Sequence, residues 1–188
     1  MPLPKTVSFV HFLLSDHLEA GAHVIDATMG NGHDTRVLAR LVGDTGKVYA
    51  FDVQPAALAA TAAVLEAENL RCRVQLFQDS HSRLTEYVSE PVDAIVFNLG
   101  YLPGADKSLA TQADTTLQAV HQALSMLAPE GLLLIAVYPG HPAGKLESQQ
   151  LDLFAAQLPA STYRVLKYQF INRENPAPYL LAIERMHR

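Results

Sequence analysis

Two glycines and an acidic residue form the first chemically informative pattern of the chain. Gly30 and Gly32 stand one residue apart in the stretch DATMGNGHDT, at positions 26–35, although the chain has only ten glycines. Asp26 precedes them at the end of an apolar step, and a helix-like run follows them. A residue without a Cβ atom lets a ligand approach the backbone closely, so the pattern predicts a binding turn between a strand and a helix. A plain turn that caps the helix without a ligand is the alternative.

The spacing of the glycines distinguishes between two kinds of cofactor. The NAD-binding fingerprint is G-x-G-x-x-G, whose third glycine lets the helix pack close to the strand. Counting from Gly30, the third position holds Thr35, so the fingerprint fails. The order D-x-x-x-G-x-G instead resembles the first motif of the class I S-adenosylmethionine-dependent methyltransferases, with Thr28 at the position of its first glycine. A carboxylate such as Asp26 suits the ammonium and sulfonium of that cofactor, whereas it would repel a pyrophosphate.

Polar residues at the ends of the next two predicted strands complete the predicted cofactor site. Asp52 ends the second strand, twenty residues after the second glycine, where a carboxylate can accept hydrogen bonds from both ribose hydroxyls of a nucleoside. This role serves NAD and S-adenosylmethionine alike, and Gln54 follows two residues later to brace the ribose or the adenine. After the third strand, Asp79 and Ser80 are predicted to contact the adenine. His81 is either a further ligand or a residue that caps the following helix.

The loop after the fourth predicted strand, FNLGYLPGADK at 97–107, is where we expect the chemical step. Ligands of doubly wound sheets gather outside the carboxyl ends of the strands, and this loop belongs there. Asn98 and Tyr101 are similar to the Asn/Asp-Pro-Pro-Tyr loop of the amino-group methyltransferases. In that motif a polar side chain and a backbone carbonyl hold the target nitrogen, and the aromatic ring stacks on the base. Leu99 and Gly100 stand here in place of the two prolines.

Strand-like and helix-like segments alternate along the chain, as a doubly wound α/β sheet requires. The predicted strands are 22–26, 47–52, 74–77, 92–98, 132–138, 163–170 and 178–184. The predicted helices between them are 33–41, 55–69, 81–89, 111–128 and 144–158. The apolar run that begins at Thr6 predicts an additional amphipathic helix at the start of the chain.

The end of the chain departs from this alternation. A short turn at 172–176 connects the last two predicted strands and cannot hold a crossover helix, so these strands form an antiparallel pair. Five parallel strands followed by such a hairpin predict the class I methyltransferase fold. This fold is a doubly wound, Rossmann-like sheet of seven strands, mostly parallel, with an antiparallel last strand. We expect a single domain over residues 1–188, because we find no internal repeat and no domain boundary.

Composition limits the compartment and the partners of the protein. Cys72 is the only cysteine, so no internal disulfide can form, and a reducing, cytoplasmic compartment is expected. The longest apolar stretch, at 132–138, is far too short to cross a bilayer. A net charge of −5 argues against indiscriminate binding of nucleic acid. Residues 126–188 carry six basic and five acidic side chains, however, and can present a local cationic face.

Six stretches together resemble one family of RNA-modifying enzymes over nearly the whole chain: DATMGNGHDT, FDVQ, DSH, FNLGYLPGADKS, YPGHPAGK and INRENPAPYLLAIE. The family is that of the bacterial-type tRNA 5-aminomethyl-2-thiouridine methyltransferases, and the NLGYLPG and YPGHP elements are specific to it. The resemblance implies that a methyl group passes from S-adenosylmethionine to the exocyclic amine of the wobble uridine of certain tRNAs. Ala143 departs from the family pattern, which has a glycine at that position.

By matching position, the resemblance implies two sets of site residues and an RNA partner. Cofactor contacts are implied at Asn31, Asp52, Gln54, Ser80 and His81. The substrate side is implied at Asn98, Tyr101, Asp106 and the loop 138–141. The partner would be the anticodon stem-loop of a tRNA, whose unstacked bases are read by aromatic stacking, so Tyr101 and Tyr138 are candidate platforms. Candidates for phosphate contacts are Lys145, Arg164, Lys167 and Arg173.

Methyl transfer to an amine requires a neutral nitrogen, and an alkylamine is mostly protonated at neutral pH. Asp106 and His141 are the candidate bases, and selection of the neutral amine from solution is the alternative. Asp106 can equally bind Lys107 or cap a helix that begins near Ser108, and His141 can equally shape a rigid turn. Alignment of the nitrogen with the methyl carbon supplies much of the acceleration, since the sulfonium is already a good leaving group.

Other functions stay open beside methyl transfer to tRNA. The fold alone does not select a substrate, so a methyltransferase that acts on rRNA, another RNA, a protein or a small molecule is the second hypothesis. An NAD-dependent oxidoreductase is disfavoured by Thr35, and a non-catalytic nucleotide-binding module would not need the polar loop 98–106. The histidines at 11, 17 and 23 lack the spacing of a metal site, so no metal is expected. Formation of a homodimer is also an open alternative, because one small domain offers little surface area to bind a tRNA.

Overall fold

A central β-sheet organises the structure, a computed structural model that describes residues 2–99, 113–140, 142–173 and 175–187. Its strands are β1 (His23–Asp26), β2 (Lys47–Phe51), β3 (Val74–Phe77), β4 (Val92–Asn98), β5 (Leu127–Val137), β6 (Tyr163–Tyr168) and β7 (Tyr179–Arg185). The helices in these ranges are α1 (Thr6–His17), α2 (His33–Leu41), α3 (Pro55–Ala67), α4 (Leu84–Tyr87), α5 (Ala113–Met126) and α6 (Pro142–Ala156), with 3-10 turns at Arg71–Arg73 and His81–Arg83. None of the helices described here is long and apolar enough to cross a bilayer.

The strand order across the sheet is β3-β2-β1-β4-β5-β7-β6. The strands β1 to β5 pair in parallel, whereas β7 is antiparallel to both of its neighbours, β5 and β6. This topology confirms the predicted fold class, a doubly wound and mostly parallel sheet of seven strands with an antiparallel last strand. As predicted, the last two strands form an antiparallel pair, and the described residues of the link between them contain no crossover helix. In the sheet, β7 lies between β5 and β6.

The observed bounds differ from the predicted ones mainly at β5. This strand begins at Leu127 instead of 132, and the preceding helix ends at Met126, two residues before its predicted end. The pairing of β4 with β5 shifts register between Val92 and Ala94, and Glu130 has a left-handed backbone with φ of 66° in the same region. The run of apolar residues that predicted the strand begins only after this polar irregularity, so its first residues escaped detection.

The segment predicted as a helix over 81–89 is also different in the structure. It consists of the 3-10 turn His81–Arg83 followed by the four-residue helix α4. The tighter turn begins directly after Ser80, whose hydroxyl oxygen accepts the Ser82 amide at 3.1 Å. The consequence is a short, compact connection that leaves residues 79–81 close to the end of β3.

Apolar side chains cover both faces of the sheet, as expected when helices lie on both sides. On β4, Ile95 and Phe97 contact the layer formed by α4, α5 and α6, while Ala94 and Val96 contact the layer formed by α1, α2 and α3. All four side chains are at most 1% exposed. The two layers therefore bury both faces of this strand.

The carboxyl ends of β1 to β5 lie along one edge of the sheet. The chain runs outward from β1 through β2 and β3, and then returns to begin the other half of the sheet at β4, next to β1. Loops that leave β1 and β4 diverge at such a switch point and create a crevice. The described residues that follow β1, β2, β3, β4 and β5 border this edge, so they hold the candidate site.

Candidate active site

The turn between β1 and α2 is held in shape by Asp52 and by α3. Gly30 and Gly32 have positive φ angles of 49° and 78°. The Gly30 amide donates to Asp52 Oδ2 at 3.1 Å, and the Gly30 carbonyl accepts from Thr61 Oγ1 at 3.1 Å. A Cβ atom on residue 32 would lie 2.9 Å from the Thr61 Cα atom. Backbone conformation and contact with α3 therefore require glycine at position 32, independently of any ligand.

Asp26 ends β1, is fully buried, and directs both carboxylate oxygens into the same turn. Its Oδ1 atom accepts from the Thr28 amide at 3.1 Å, and its Oδ2 atom accepts from the Thr35 hydroxyl at 2.6 Å. Burial, together with the nearby charge of Asp34, raises the pKa of Asp26 to about 7. Thr35, which stands where the NAD fingerprint has a glycine, is thus the residue that holds the Asp26 carboxyl group in place.

Asp52 connects the loops that follow β1 and β2. In addition to the Gly30 amide, it binds the Gln54 amide, which donates to Oδ1 at 3.0 Å. Each oxygen therefore receives one backbone hydrogen bond, and a carboxylate can accept about four in total. Asn31, in the glycine turn, and Gln54, directly before α3, are both half-buried. The carboxylate at the end of β2 has acceptor capacity left for two hydroxyl groups.

Asp79 and Ser80, after β3, make most of their contacts within their own segment. Asp79 accepts hydrogen bonds from the Tyr87 hydroxyl at 2.5 Å, the Ser80 amide at 2.7 Å and the Arg83 guanidinium at 2.7 Å. These donors, Tyr87 foremost, hold the pKa of Asp79 below its ordinary value. The structure therefore brings an ionised carboxylate to the edge of the sheet where an adenine contact is predicted.

His81 joins the segment after β3 to the turn after β1. It hydrogen-bonds the backbone of Ala27, and its ring lies edge-on to Phe97 with 5.7 Å between the ring centroids. Burial lowers the pKa of His81 to about 4, so its imidazole is neutral at physiological pH. Its Nε2 atom is buried and has no hydrogen-bond partner among the described residues. Buried polar atoms of proteins are normally hydrogen-bonded, and a ligand can provide the missing partner for this nitrogen.

Asn98 ends β4 and is held from two sides. Its amide donates to Thr28 Oγ1 at 2.7 Å, which ties the end of β4 to the turn after β1. Its side-chain Nδ2 atom donates to Asp34 Oδ2 at 2.9 Å. The other oxygen of that carboxylate, Oδ1, lies 2.6 Å from the Nε2 atom of His11 on α1. Three side chains from α1, α2 and β4 therefore form one hydrogen-bonded chain that ends at the candidate catalytic amide.

Asp34 is only 7% exposed and is nevertheless ionised. Burial opposes its ionisation, but the hydrogen bonds from His11 and Asn98 outweigh burial and hold the pKa of Asp34 below its ordinary value. An ionised carboxylate only accepts hydrogen bonds, so Asp34 determines the orientation of the Asn98 amide: the Nδ2 atom points to Asp34 and the Oδ1 atom points away from it.

Sequence reasoning missed both Asp34 and His11. Asp34 is an acidic residue in the first turn of α2, where such residues are common, and His11 is a polar interruption of an otherwise apolar helix. The hydrogen bonds that reveal their role join residues separated by 23 and 64 positions along the chain. No spacing rule connects positions that far apart, so the sequence contained no usable signal.

Three of the predicted catalytic residues, Tyr101, Asp106 and His141, lie outside the described residues. In the loop after β5, Tyr138 is half-buried, and burial together with the charge of Asp34 raises its pKa. Tyr138 therefore lies close enough to Asp34 to be affected by its charge. Within the described part of the chain, no group of His, Cys, Asp and Glu has the arrangement of a metal site.

The comparison with known proteins identifies the family. Residues 48–184 match a family described as "Putative rRNA methylase". The chain belongs to this rRNA methylase family. The match extends from the start of β2 almost to the end of β7, and it therefore includes Asp52, the segment 79–81 and Asn98.

Proteins similar to this chain come from a plant and from bacteria. The chloroplastic tRNA (mnm(5)s(2)U34)-methyltransferase of Arabidopsis thaliana is 39% identical over 180 residues, which are 90% of this chain and 65% of that protein. A crystal structure from Clostridium thermocellum, described in the same words as the family, has a TM-score of 0.97 at 36% identity and covers 99% of this chain and 100% of that one. A "putative methyltransferase" from Streptococcus mutans in complex with SAH has a TM-score of 0.91 at 40% identity and covers 98% and 100%. This chain thus spans slightly less than two thirds of the plant relative.

Proposed function

We propose that the chain is an S-adenosylmethionine-dependent methyltransferase that acts on the exocyclic amine of 5-aminomethyl-2-thiouridine at the tRNA wobble position. The observation that carries the proposal is the Asn98 amide, which Asp34 orients at the end of β4, next to the turn that Asp52 holds. The cofactor is supported by the 40% identical structure with SAH, and the substrate by the 39% identical relative whose name specifies mnm(5)s(2)U34, the methylated form of this uridine.

The cofactor is proposed to bind between the loops that follow β1, β2 and β3. Two observations fit S-adenosylmethionine: the Asp52 carboxylate has acceptor capacity left for the ribose hydroxyls, and the buried Nε2 atom of His81 lacks a partner among the described residues. The proposed contacts are Gly30, Asn31 and Gly32 for the methionine end, Gln54 for the ribose or adenine, and Asp79, Ser80 and His81 for the adenine side.

Asp26 is proposed to serve the cofactor indirectly. Both of its oxygens accept hydrogen bonds from the turn, so its first effect is to fix the backbone that meets the methionine end. Its second effect is electrostatic, because an ionised carboxylate behind the turn favours a ligand that carries an ammonium and a sulfonium. Asp34 and Asp52 add negative charge in the same region, which would oppose a pyrophosphate.

The chain's own contribution to the reaction is to orient the target amine. When bound, S-adenosylmethionine supplies a methyl carbon that the adjoining sulfonium activates. Asn98 Nδ2 is bound to Asp34, so its Oδ1 atom is left to accept a hydrogen bond from the amine and to direct the nitrogen lone pair. Asp34 cannot act as the base, because its pKa is lowered and both of its oxygens are engaged. Asp106 and His141 stay the predicted bases, with selection of the neutral amine as the alternative.

A direct assay tests this function. Purified protein is incubated with S-adenosylmethionine and tRNA that contains 5-aminomethyl-2-thiouridine, and nucleosides are then measured by mass spectrometry. We expect the methylated nucleoside with the wild type and none with Asp52→Ala. The second candidate substrate is rRNA, because the family description names it. Methylation of rRNA without methylation of tRNA would transfer the assignment to that substrate, and binding of NAD instead of SAH would end the methyltransferase proposal.

The compartment and the macromolecular partner of the reaction are part of the proposal. We infer a cytoplasmic enzyme whose macromolecular partner is the anticodon stem-loop of tRNA. Residues 1–188 are proposed to act as a single methyltransferase domain, and a homodimer stays a prediction from the small size of that domain.

A further inference from the structure

A cavity of about 790 Å³ lies between the start of α1 and the turn that connects β6 to β7. Residues 5–8 form one wall, and described residues of the segment 170–178 form the other. Tyr138, from the loop after β5, also lines it. A volume in this range accommodates a ligand of the size of a nucleotide. Neither the cofactor contacts nor the Asn98 chain of hydrogen bonds uses the residues of this cavity.

The two walls are attached to each other by specific contacts. Thr6 Oγ1 donates to the Pro178 carbonyl at 3.0 Å, and the Tyr168 hydroxyl donates to the Pro4 carbonyl at 2.8 Å. The rings of Phe9 and Tyr168 are packed with 4.3 Å between their centroids. These contacts join positions more than 150 residues apart, so the cavity is a product of the fold and not of one loose loop.

The chemistry of the lining combines cations with aromatic rings. Lys5 and Arg173 provide positive charge, and Tyr138 and Phe170 provide rings. The Arg173 guanidinium lies 5.9 Å from the centroid of the Phe170 ring. Among the lining residues that the structure describes, none is acidic, although the chain as a whole has a net charge of −5. A cationic, ring-bearing cavity on an acidic protein fits a ligand that has both a phosphate and a base.

The cavity lies at the same edge of the sheet as the candidate catalytic amide. Tyr138 lines it and follows directly after β5, whose residue Ala136 pairs with Asn98 at the end of β4. The charge of Asp34, which holds Asn98, also contributes to the raised pKa of Tyr138. A chain of nucleotides whose target base reaches Asn98 would therefore place a neighbouring nucleotide at this cavity.

We propose that the cavity binds an unpaired nucleotide of the anticodon loop that flanks the target uridine, with its base on the Phe170 ring and its phosphate met by Lys5 and Arg173. This inference rests on the proposed function, because it takes tRNA as the substrate. It goes beyond that function by assigning the binding of this nucleotide to the start of α1 and the β6–β7 turn. Stacking of one base contributes about 1–3 kcal/mol, which corresponds to roughly 5- to 150-fold in affinity.

The test measures binding and turnover separately. Wild type, Phe170→Leu and Arg173→Gln are compared for affinity to a labelled anticodon stem-loop by fluorescence anisotropy, for kcat and KM with tRNA, and for SAH affinity by calorimetry. We expect both variants to raise Kd and KM for RNA about tenfold, with kcat and SAH affinity unchanged. Arg40→Gln is the matched control, because this arginine is 56% exposed on α2 and does not line the cavity. Thermal melting checks that each variant is folded.

The outcomes separate this inference from the proposed function. If the wild type methylates tRNA and both cavity variants bind RNA as the wild type does, the cavity inference is wrong and the function stands. If Arg173→Gln weakens binding as little as Arg40→Gln, or Phe170→Leu has no effect, the assigned contacts to the phosphate and the base are wrong. If the wild type binds the stem-loop through these residues but methylates no tRNA, the proposed function fails while the cavity is confirmed as an RNA site.

Discussion

The His11 Nε2 atom lies 2.6 Å from Asp34 Oδ1, so the first helix of the chain contacts the residue that holds Asn98. The second Asp34 oxygen accepts from Asn98 Nδ2 at 2.9 Å. A nearly buried carboxylate with a hydrogen bond to each oxygen has one favoured orientation. This orientation in turn fixes the orientation of the Asn98 side-chain amide. The proposed grip on the target amine therefore depends on a helix that is far from β4 in the sequence.

Loss of the Asp34 charge is expected to reduce turnover without reducing cofactor binding. In Asp34→Asn, an amide faces the Asn98 amide, and either orientation of the Asn98 side chain becomes possible. We expect kcat to fall by about 10- to 100-fold, the size of effect that misalignment of reacting groups produces, while Kd for SAH changes less than twofold. Steady-state kinetics and calorimetry measure the two quantities. An equal loss of kcat and SAH affinity would show that the substitution damages the whole site.

The contribution of His11 is tested by graded substitution. His11→Gln keeps a donor that can reach Asp34 Oδ1, whereas His11→Ala removes it. We expect kcat to decrease in the order wild type, His11→Gln, His11→Ala, again with SAH affinity retained. His17→Ala, at the other end of α1, is the matched control and should keep wild-type kcat. Identical kcat values for the alanine variants at positions 11 and 17 would contradict a positioning role for His11.

Asp52 is expected to dominate cofactor affinity. Asp52→Asn retains the shape of the side chain but removes the charge and some of the acceptor capacity, so SAH should bind about 10- to 100-fold more weakly. Asp44→Asn serves as the control, because the Asp44 side chain is 88% exposed and pairs with Arg73 at the surface. Calorimetric titration of both variants with SAH gives the comparison. Equal affinities for the two would remove Asp52 from the cofactor site.

Gly32 is expected to matter for stability before it matters for binding. In Gly32→Ala, the new Cβ atom would lie 2.9 Å from the Thr61 Cα atom, at a backbone φ of 78° that L-residues rarely adopt. We expect the free energy of unfolding to fall by about 1–3 kcal/mol, as measured by urea denaturation. Gly140→Ala is the control, since a Cβ atom there meets nothing within 4 Å. Equal stabilities of the two variants would show that α3 moves away from the turn at little cost.

Local patterns predicted the framework because each strand and turn is marked by its own residues. The strand Val92–Asn98 and the helix His33–Leu41 have the predicted bounds, since apolar runs and a glycine turn delimit them clearly. The antiparallel end of the sheet followed from the length of one connection. The start of β5 was missed because polar residues interrupt its pairing with β4.

The candidate site was only partly predictable, for a different physical reason. Asp52 and Asp79 follow apolar strands and Asn98 ends one, so their place at the edge of the sheet could be predicted from the sequence. Contacts such as His11 with Asp34 arise only when α1 packs beside α2. The cavity depends likewise on the bond from Thr6 to Pro178, which joins residues 172 positions apart.

Asp26 gives the protein an unusual dependence of stability on pH. Its pKa is about 7 in the folded state, above the ordinary value near 3.9, because burial and the Asp34 charge disfavour the ionised form. Between about pH 4 and 7 the folded protein retains a proton that the unfolded chain has released, so the contribution of Asp26 to stability falls as pH rises through this window and levels off above it. Asp34 has a lowered pKa, so its contribution is present above the ordinary value and is lost only at more acidic pH.

Asp26→Asn isolates this effect. Its carbonyl oxygen can still accept from Thr28, and its amide can donate to Thr35, so the turn should keep its shape. We expect the difference in unfolding free energy between variant and wild type to increase from pH 4 to pH 7 in favour of the variant, measured by urea denaturation at each pH. Asp44→Asn is the control substitution, because the Asp44 side chain is 88% exposed at the surface. S-adenosylmethionine should also bind the wild type more tightly as pH rises through 7, since an ionised Asp26 attracts its ammonium and sulfonium, and this rise should be absent in Asp26→Asn. A variant that kept the wild-type pH profile of stability would place the titrating group elsewhere in the core.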